Sequence, residues 1–264
     1  MRPHPSKLLA GLALAVLAAC TTTPTGRSQL ILVSDADMDK MGASAFNQIK
    51  SSGKLANDPA RTRYVRCVAN ALIAQLPPPA RSQTWEVVLI ADDSANAFAL
   101  PGGKVGVHTG LLKVAKDQDQ LAAVIGHELG HVISRHAAER VSQQFAAETA
   151  LKAANAATGG ERQQLLGLLG LGAQAGVILP FSRKHESEAD VLGQRYMAQA
   201  GFDPNAAAAL WQNMVAQGGG SRVPAWISTH PDPQQRIQSL RAAAPGLMPT
   251  YQQARAAGRK PACR

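Results

Sequence analysis

Two histidines four residues apart constrain this chain more than any other feature. They lie in the segment Val124-Ile-Gly-His-Glu-Leu-Gly-His-Val132, where apolar residues recur at the spacing of a helical face. On a helix, His127 and His131 project from one face, so both imidazoles can bind a single zinc ion. Glu128 lies about 100° round the helix, where it can take a proton from water. The segment therefore predicts a helix with two metal ligands and a general base.

A catalytic zinc ion also needs a third protein ligand and an open fourth position. The best source is Ser182-Arg-Lys-His-Glu-Ser-Glu-Ala-Asp190, in which Glu186 and Asp190 share one helical face. Glu186 can bind the metal. Asp190 can accept a hydrogen bond from the spare N–H of a ligating histidine, and His127 is the preferred donor. Glu188 points about 200° away from Glu186 and is expected in solvent.

Helical periodicity dominates the remaining sequence. Helices are predicted over residues 35–53, 58–76, 117–157, 183–200, 204–217 and 233–244. A β-rich run at 85–90 and two short strands around Pro101-Gly102-Gly103 predict one small sheet. The pattern therefore predicts a mostly helical α+β fold.

Two apolar stretches are too short to span a bilayer comfortably. The first, Leu8–Ala19, follows a short basic region and ends in Leu-Ala-Ala before Cys20, which resembles the bacterial lipobox. We expect residues 1–19 to be a lipoprotein signal peptide, Cys20 to be lipidated and residues 20–34 to form a tether. The alternative is an ordinary secretory signal cut nearby. The second stretch, 165–180, either shapes a hydrophobic groove or belongs to the core.

Three cysteines are present, Cys20, Cys67 and Cys263. If Cys20 carries lipid, an even number remains, as is usual in an oxidising compartment. We expect a disulfide between Cys67 and Cys263, with two free thiols as the alternative. The spacing of the cysteines does not indicate a cysteine-based metal site.

The formal charge of +9 would suit an anionic partner. The basic residues are scattered, however, and form no dense Lys/Arg block, so nucleic-acid binding is not expected. With 45% hydrophobic and 17% charged residues, the composition is typical of a globular chain and excludes a largely disordered one.

HELGH followed by the downstream SRKHESEAD resembles metallopeptidase family 48, which includes the HtpX-type and CAAX prenyl proteases. Three further segments match the family's pattern: Asn96–Leu112 (NAFALPGGKVGVHTGLL), Ser182-Arg183, and the His-Pro…Arg element within Thr229–Ile237. The resemblance covers roughly residues 60–245. Within the family, the chain is most similar to the compact periplasmic lipoprotein branch of LoiP and BepA.

The resemblance implies a zincin-type metallopeptidase domain at residues 35–245, with a small β-sheet beside the HExxH helix. A basic C-terminal tail would follow at residues 246–264. One zinc ion per chain is implied as cofactor. The implied site consists of the ligands His127, His131 and Glu186, the general base Glu128, and Asp190 behind the ligands.

The resemblance also implies roles for residues around these ligands. A strand would line the cleft and pair with extended substrate by strand addition; its residues are Asn96, Ala97, Phe98, Ala99, Leu100, Pro101, Gly102 and Gly103. In BepA-like members the His of the His-Pro element can reach the zinc and plug the site. His230 would do so here, or it is a loop histidine bonded locally. Arg236 either stabilises an oxyanion or tethers a loop.

The activity implied is that of a zinc-dependent endopeptidase, held in the bacterial outer membrane by its N-terminal lipid and facing the periplasm. Its partners would be unfolded or misassembled envelope proteins, together with the outer-membrane assembly machinery. One alternative is a chaperone-like assembly factor with a latent zinc site. Another is a zinc-stabilised structural lipoprotein, against which the intact Glu128 argues because structure alone needs no base.

Overall fold

The computed structural model describes residues 20–157, 181–217 and 228–264. The helices are α1 (Asp35–Ser51), α2 (Pro59–Ile73), α3 (Leu111–Val114), α4 (Gln118–Ile133), α5 (His136–Ala157), α6 (Arg183–Ala200), α7 (Ala206–Gln217) and α8 (Pro233–Ala256). The strands are β1 (Cys20–Thr22), β2 (Ser28–Leu30), β3 (Glu86–Ile90), β4 (Ala97–Leu100) and β5 (Lys104–His108). The predicted mostly helical α+β fold is confirmed.

None of the described helices is both long and apolar enough to cross a bilayer. The apolar stretch 165–180 lies outside the described residues.

Contacts divide the chain into two units. The larger comprises Met38–Ser134 and Leu179–Arg264, and the smaller comprises Met1–Asp37 and Arg135–Ile178. All the residues expected to bind or orient a metal belong to the larger unit, so this unit contains the candidate site.

The described part of the smaller unit is a β-hairpin packed on a helix. Strands β1 and β2 pair antiparallel, and Arg27 donates two hydrogen bonds to the Glu139 carboxylate on α5, at 2.8 and 2.6 Å. The amide of Leu32 donates to Ser142 Oγ at 2.7 Å. Residues 20–34, expected to form a tether, therefore contain ordered strands with partners on α5.

The sheet of the larger unit has the strand order β3-β5-β4. Strand β5 pairs parallel with β3 and antiparallel with β4, with Ala97 opposite Val107. The predicted turn between β4 and β5 is present, and Gly102 and Gly103 adopt φ values of +75° and +70°, which side chains with a Cβ rarely tolerate. Within the described residues, β4 pairs on one side only and forms an edge of the sheet.

Helices α2, α4, α6 and α7 share one hydrophobic core with this sheet. Its largest fully buried side chains include Leu72, Leu121, Ile125, Leu192 and Phe202. Local signals set the ends of the site helices: Asp117 and Ser182 cap α4 and α6. Gly201 ends α6 in the left-handed conformation, with φ +85°. These caps determine where the two helices with the candidate ligands begin.

Helices α4 and α6 approach each other closely because glycines line their contact. A Cβ built on Gly193 would lie 2.7 Å from both the carbonyl carbon of Gly126 and the amide nitrogen of His127. One built on Gly130 would lie 2.8 Å from the carbonyl oxygen of Ala189. The backbones therefore pack at a distance that larger residues would not permit.

The prediction of one continuous helix over residues 117–157 is wrong. Helix α4 ends at Ile133 and α5 begins at His136. Between them Arg135 has a φ of +57°, a left-handed conformation that breaks a right-handed helix. No glycine or proline marks this break, so helical periodicity alone did not reveal it.

The last helix is longer than the predicted 233–244. It continues through Pro245 and Pro249 to Ala256, although proline usually breaks a helix interior. Tertiary contacts override that preference: Ala254 is fully buried, and Arg255 Nη1 donates to the Gly201 carbonyl at 3.4 Å. Much of the expected tail is therefore helical.

The final residues are fixed to α2 and α4. Cys67 on α2 forms a disulfide with Cys263, with the Cα atoms 5.6 Å apart. Gln118, the first residue of α4, donates to the Pro261 carbonyl at 2.8 Å and accepts from the Cys263 amide at 2.9 Å. The bridge thus ties the end of the chain to the start of the helix that carries His127 and His131.

We predict that this disulfide stabilises the protein. In a Cys20→Ser background, the denatured, unreduced chain should contain no titratable thiol. Replacing Cys67 and Cys263 by serine should lower the free energy of unfolding by about 2–5 kcal/mol, since the bridge closes a long loop. Reductant should destabilise only the protein that retains both cysteines. Two free thiols in the unreduced chain would contradict the bridge.

We predict that Gly193→Ala destabilises the protein by about 1–3 kcal/mol in urea unfolding, because the added methyl forces α4 and α6 apart. Gly246→Ala is the matched control. Gly246 lies within α8 with open space around its Cα, so alanine should be neutral or stabilising by about 0.5–1 kcal/mol. Equal effects of the two substitutions would show that close helix packing is not the cause.

Candidate metal centre

Four buried side chains converge from three parts of the larger unit. His127 and His131 lie on α4, Glu186 lies in the first turn of α6, and His230 lies just before α8. Each offers a ligand atom, and these atoms all lie within 4.8 Å of one another. The structure thus brings together the three sequence-predicted ligands and adds His230 to them.

The chemistry of this group fits a divalent metal ion. The Nε2 atoms of His127 and His131 are 3.0 Å apart. Each lies 3.4 Å from an oxygen of Glu186. His230 Nδ1 lies 3.0 Å from Glu186 Oε2 and 3.2 Å from His127 Nε2. Imidazole nitrogens with one carboxylate are a ligand set that zinc prefers.

Asp190 and Arg236 form hydrogen bonds and ion pairs with the candidate ligands and with each other. His127 Nδ1 lies 2.9 Å from Asp190 Oδ1, as expected for a carboxylate that orients a ligating histidine. Arg236 Nε donates to Asp190 Oδ2 at 2.6 Å, and its Nη1 lies 2.7 Å from Glu186 Oε2. The guanidinium also stacks on Trp211, 3.8 Å from the ring centroid. Arg236 therefore contacts both carboxylates of the candidate site.

Burial and charge shift the pKa values in this cluster. Burial lowers the pKa of His131 well below its ordinary value, so this imidazole is neutral, as metal binding requires. For His127, burial and Arg236 lower the pKa, but hydrogen bonds with Asp190 and Glu186 outweigh them and raise it to about 9. Burial opposes ionisation of Asp190, yet Arg236 and His127 hold its pKa below the usual range.

Glu128 lies beside this group rather than within it. The side chain is buried, with Oε1 3.5 Å from His230 Nε2. It is next to His127 in sequence but is not one of the converging ligand atoms. This position beside the candidate ligands is the one that the helical spacing predicts.

The predicted substrate strand forms β4 and the turn that follows it. Ala97 is buried, whereas Phe98, Ala99 and Leu100 are partly exposed. Helix α4 packs against β4, so the edge strand and the helix with the metal ligands are neighbours.

Three residues around the site were missed or misplaced by the sequence reasoning. Glu188 is buried, not solvent-exposed, because α6 is enclosed on most of its circumference. Phe181 stacks on His131 with ring centroids 4.0 Å apart. Trp211 stacks on the guanidinium of Arg236. No spacing pattern links Phe181 or Trp211 to the ligands. The side chain of Cys20 lies outside the described part of the chain.

A protein-family model described as Peptidase family M48 matches residues 59–244, most of the chain. The chain belongs to this family. The resemblance inferred from HELGH and SRKHESEAD is thereby confirmed. The match spans all four converging residues and Glu128, so the candidate metal centre lies within the family's domain.

Curated relatives agree with this assignment to peptidase family M48. Mitochondrial metalloendopeptidase OMA1 of Schizosaccharomyces pombe is 43% identical over 159 residues, which cover 59% of this chain and 45% of that protein. Beta-barrel assembly-enhancing protease of Escherichia coli is 31% identical over 219 residues, covering 80% of this chain and 44% of the relative. The chain spans less than half the length of these relatives.

We predict that Asp190→Asn lowers zinc affinity about 10–100-fold, because His127 loses the charged acceptor that orients it. Affinity would be measured by competition with a chromophoric chelator. Asp93→Asn is the control, since Asp93 is an exposed carboxylate paired with Lys113 at 2.6 Å. Unchanged affinity in Asp190→Asn would contradict the orienting role.

Proposed function

We propose that the protein is a zinc-dependent endopeptidase that hydrolyses peptide bonds of unfolded or misassembled envelope proteins. The observation that carries this proposal is the convergence of His127, His131 and Glu186, with Glu128 beside them. The family and its protease relatives support it. A structural metal site would need no carboxylate next to its ligands.

In this mechanism, His127, His131 and Glu186 hold one zinc ion, and Asp190 fixes the orientation of His127. When bound, zinc supplies Lewis acidity for the scissile carbonyl and for water. The Glu128 carboxylate accepts a proton from the attacking water and returns it to the leaving nitrogen as the C–N bond breaks. The reaction forms no covalent bond between enzyme and substrate.

Strand β4 is the proposed platform for substrate. An extended peptide adding to this edge would be held by backbone hydrogen bonds, which select unfolded segments rather than a particular sequence. The partly exposed side chains Phe98 and Leu100 would contact its side chains. Because α4 packs against β4, a peptide on this edge would run past the metal ligands.

His230 is proposed to close the site at rest. Its contacts with Glu186, His127 and Glu128 place its ring where substrate or water needs access. A fourth protein ligand makes a metal site of the closed, structural kind, whereas catalysis needs an open position. Cleavage would then require His230 to move away.

We further propose that Cys20 is lipidated, which would anchor the protein in the outer membrane facing the periplasm. The lipobox-like sequence before Cys20 supports this proposal. The envelope would also be the compartment in which a Cys67–Cys263 disulfide persists. Its partners would be envelope proteins and the outer-membrane assembly machinery.

The Glu128→Gln protein should keep its zinc, but its rate of cleavage should fall by about 10²–10⁴-fold, because an amide cannot accept the proton. The measurement is cleavage of an unfolded protein, with zinc content determined in parallel. Glu148→Gln, at an exposed position on α5, is the matched control and should retain activity. Normal turnover by the Glu128→Gln protein would contradict the mechanism.

A wild-type protein that binds one zinc ion per chain yet cuts nothing would require a second test. His230→Ala should then restore cleavage if His230 merely closes the site. Failure of both proteins to cut, together with binding of unfolded clients, would favour the chaperone-like assembly factor.

A further inference from the structure

The ring of Phe181 contacts two of the converging histidines. It stacks on His131, with centroids 4.0 Å apart and an interplanar angle of 29°. It also faces His230 at 5.6 Å and 30°. The catalytic steps proposed above do not use this residue, although its ring lies against both imidazoles.

The backbone of Phe181 is tied to the same two places. Its amide donates to the carbonyl of Thr229, the residue before His230, at 3.2 Å. The next residue, Ser182, caps α6 by accepting from the His185 amide at 3.2 Å. Phe181 therefore joins the start of the helix that carries Glu186 to the segment that carries His230.

We propose that Phe181 is a positioning residue that holds His230 among the metal-binding side chains. Its ring packs His230 against the ligands, and its amide fixes the backbone before His230. The proportion of molecules with an open fourth position is thus set by this contact as well as by the metal. The inference rests on the proposed closure of the site by His230.

Packing energetics give the size of the effect. For His230 to leave the cluster, its ring must separate from Phe181 and Thr229 must move relative to the Phe181 amide. Ring packing of this kind changes such an equilibrium by roughly threefold to tenfold. Phe181 would therefore bias the closed form without locking it.

A purely supporting role for Phe181 makes a different prediction. If the ring served only to pack His131, its removal would weaken metal binding whether or not His230 is present. If it acts through His230, its removal should have no effect once His230 has been replaced. A double-mutant cycle separates the two roles.

The experiment measures binding of acetohydroxamate, a small chelating ligand that needs an open position on zinc, to the zinc-loaded protein by calorimetry. The variants are Phe181→Ala, Phe181→Leu, His230→Ala and the Phe181→Ala/His230→Ala pair. Phe145→Ala, which removes an exposed ring on α5, is the control. Zinc content is measured for each.

Phe181→Ala should lower the Kd of acetohydroxamate by roughly threefold to tenfold, and Phe181→Leu by less. In the His230→Ala background, Phe181→Ala should change the Kd by less than about twofold. Equal tightening in both backgrounds, no tightening at all, or loss of zinc in both backgrounds would overturn the proposal.

This binding measurement does not depend on turnover. If no variant cuts an unfolded protein but the cycle behaves as expected, the peptidase proposal fails and the role of Phe181 stands. If His230→Ala itself leaves the Kd unchanged, His230 does not close the site and the inference falls with it.

Discussion

The close contact of α4 and α6 is the constraint on which the rest of the metal centre depends. Glycines at positions 130 and 193 let the two backbones approach to a distance that a Cβ at either position would prevent. Because the gap is closed, the carboxylate of Glu186 reaches both imidazoles of α4. The same approach brings Asp190, one turn further along, to the far side of His127. Helix packing thus sets the ligand geometry.

Burying carboxylates so close together requires compensating positive charge. Arg236 provides it by contacting both Glu186 and Asp190 through its N–H groups, while Trp211 stacks on its guanidinium plane. The Asp190 carboxylate is therefore kept ionised inside the protein, where it can orient His127. Three imidazoles converging with the Glu186 carboxylate are a donor set that suits a divalent ion.

Sequence reasoning succeeded where local physics decides. The spacing of His127 with His131 and the spacing of Glu186 with Asp190 each depend on one helix alone. It failed where packing overrides local preference. Arg135 takes a left-handed conformation without glycine, and α8 continues through Pro245 because its far end is held by buried contacts and the Cys67–Cys263 bridge.

The types and local spacing of the proposed ligands, and the position of Glu128 beside them, follow from the sequence alone, because helical geometry converts spacing into a shared face. Tertiary packing brings His230 within 4.8 Å of the other candidate ligand atoms and places Arg236 against the carboxylates of Asp190 and Glu186. The same packing stacks Phe181 on the His131 imidazole and places its ring opposite that of His230. These contacts join segments distant in the chain, and their distances come from how the helices pack, which no local pattern encodes.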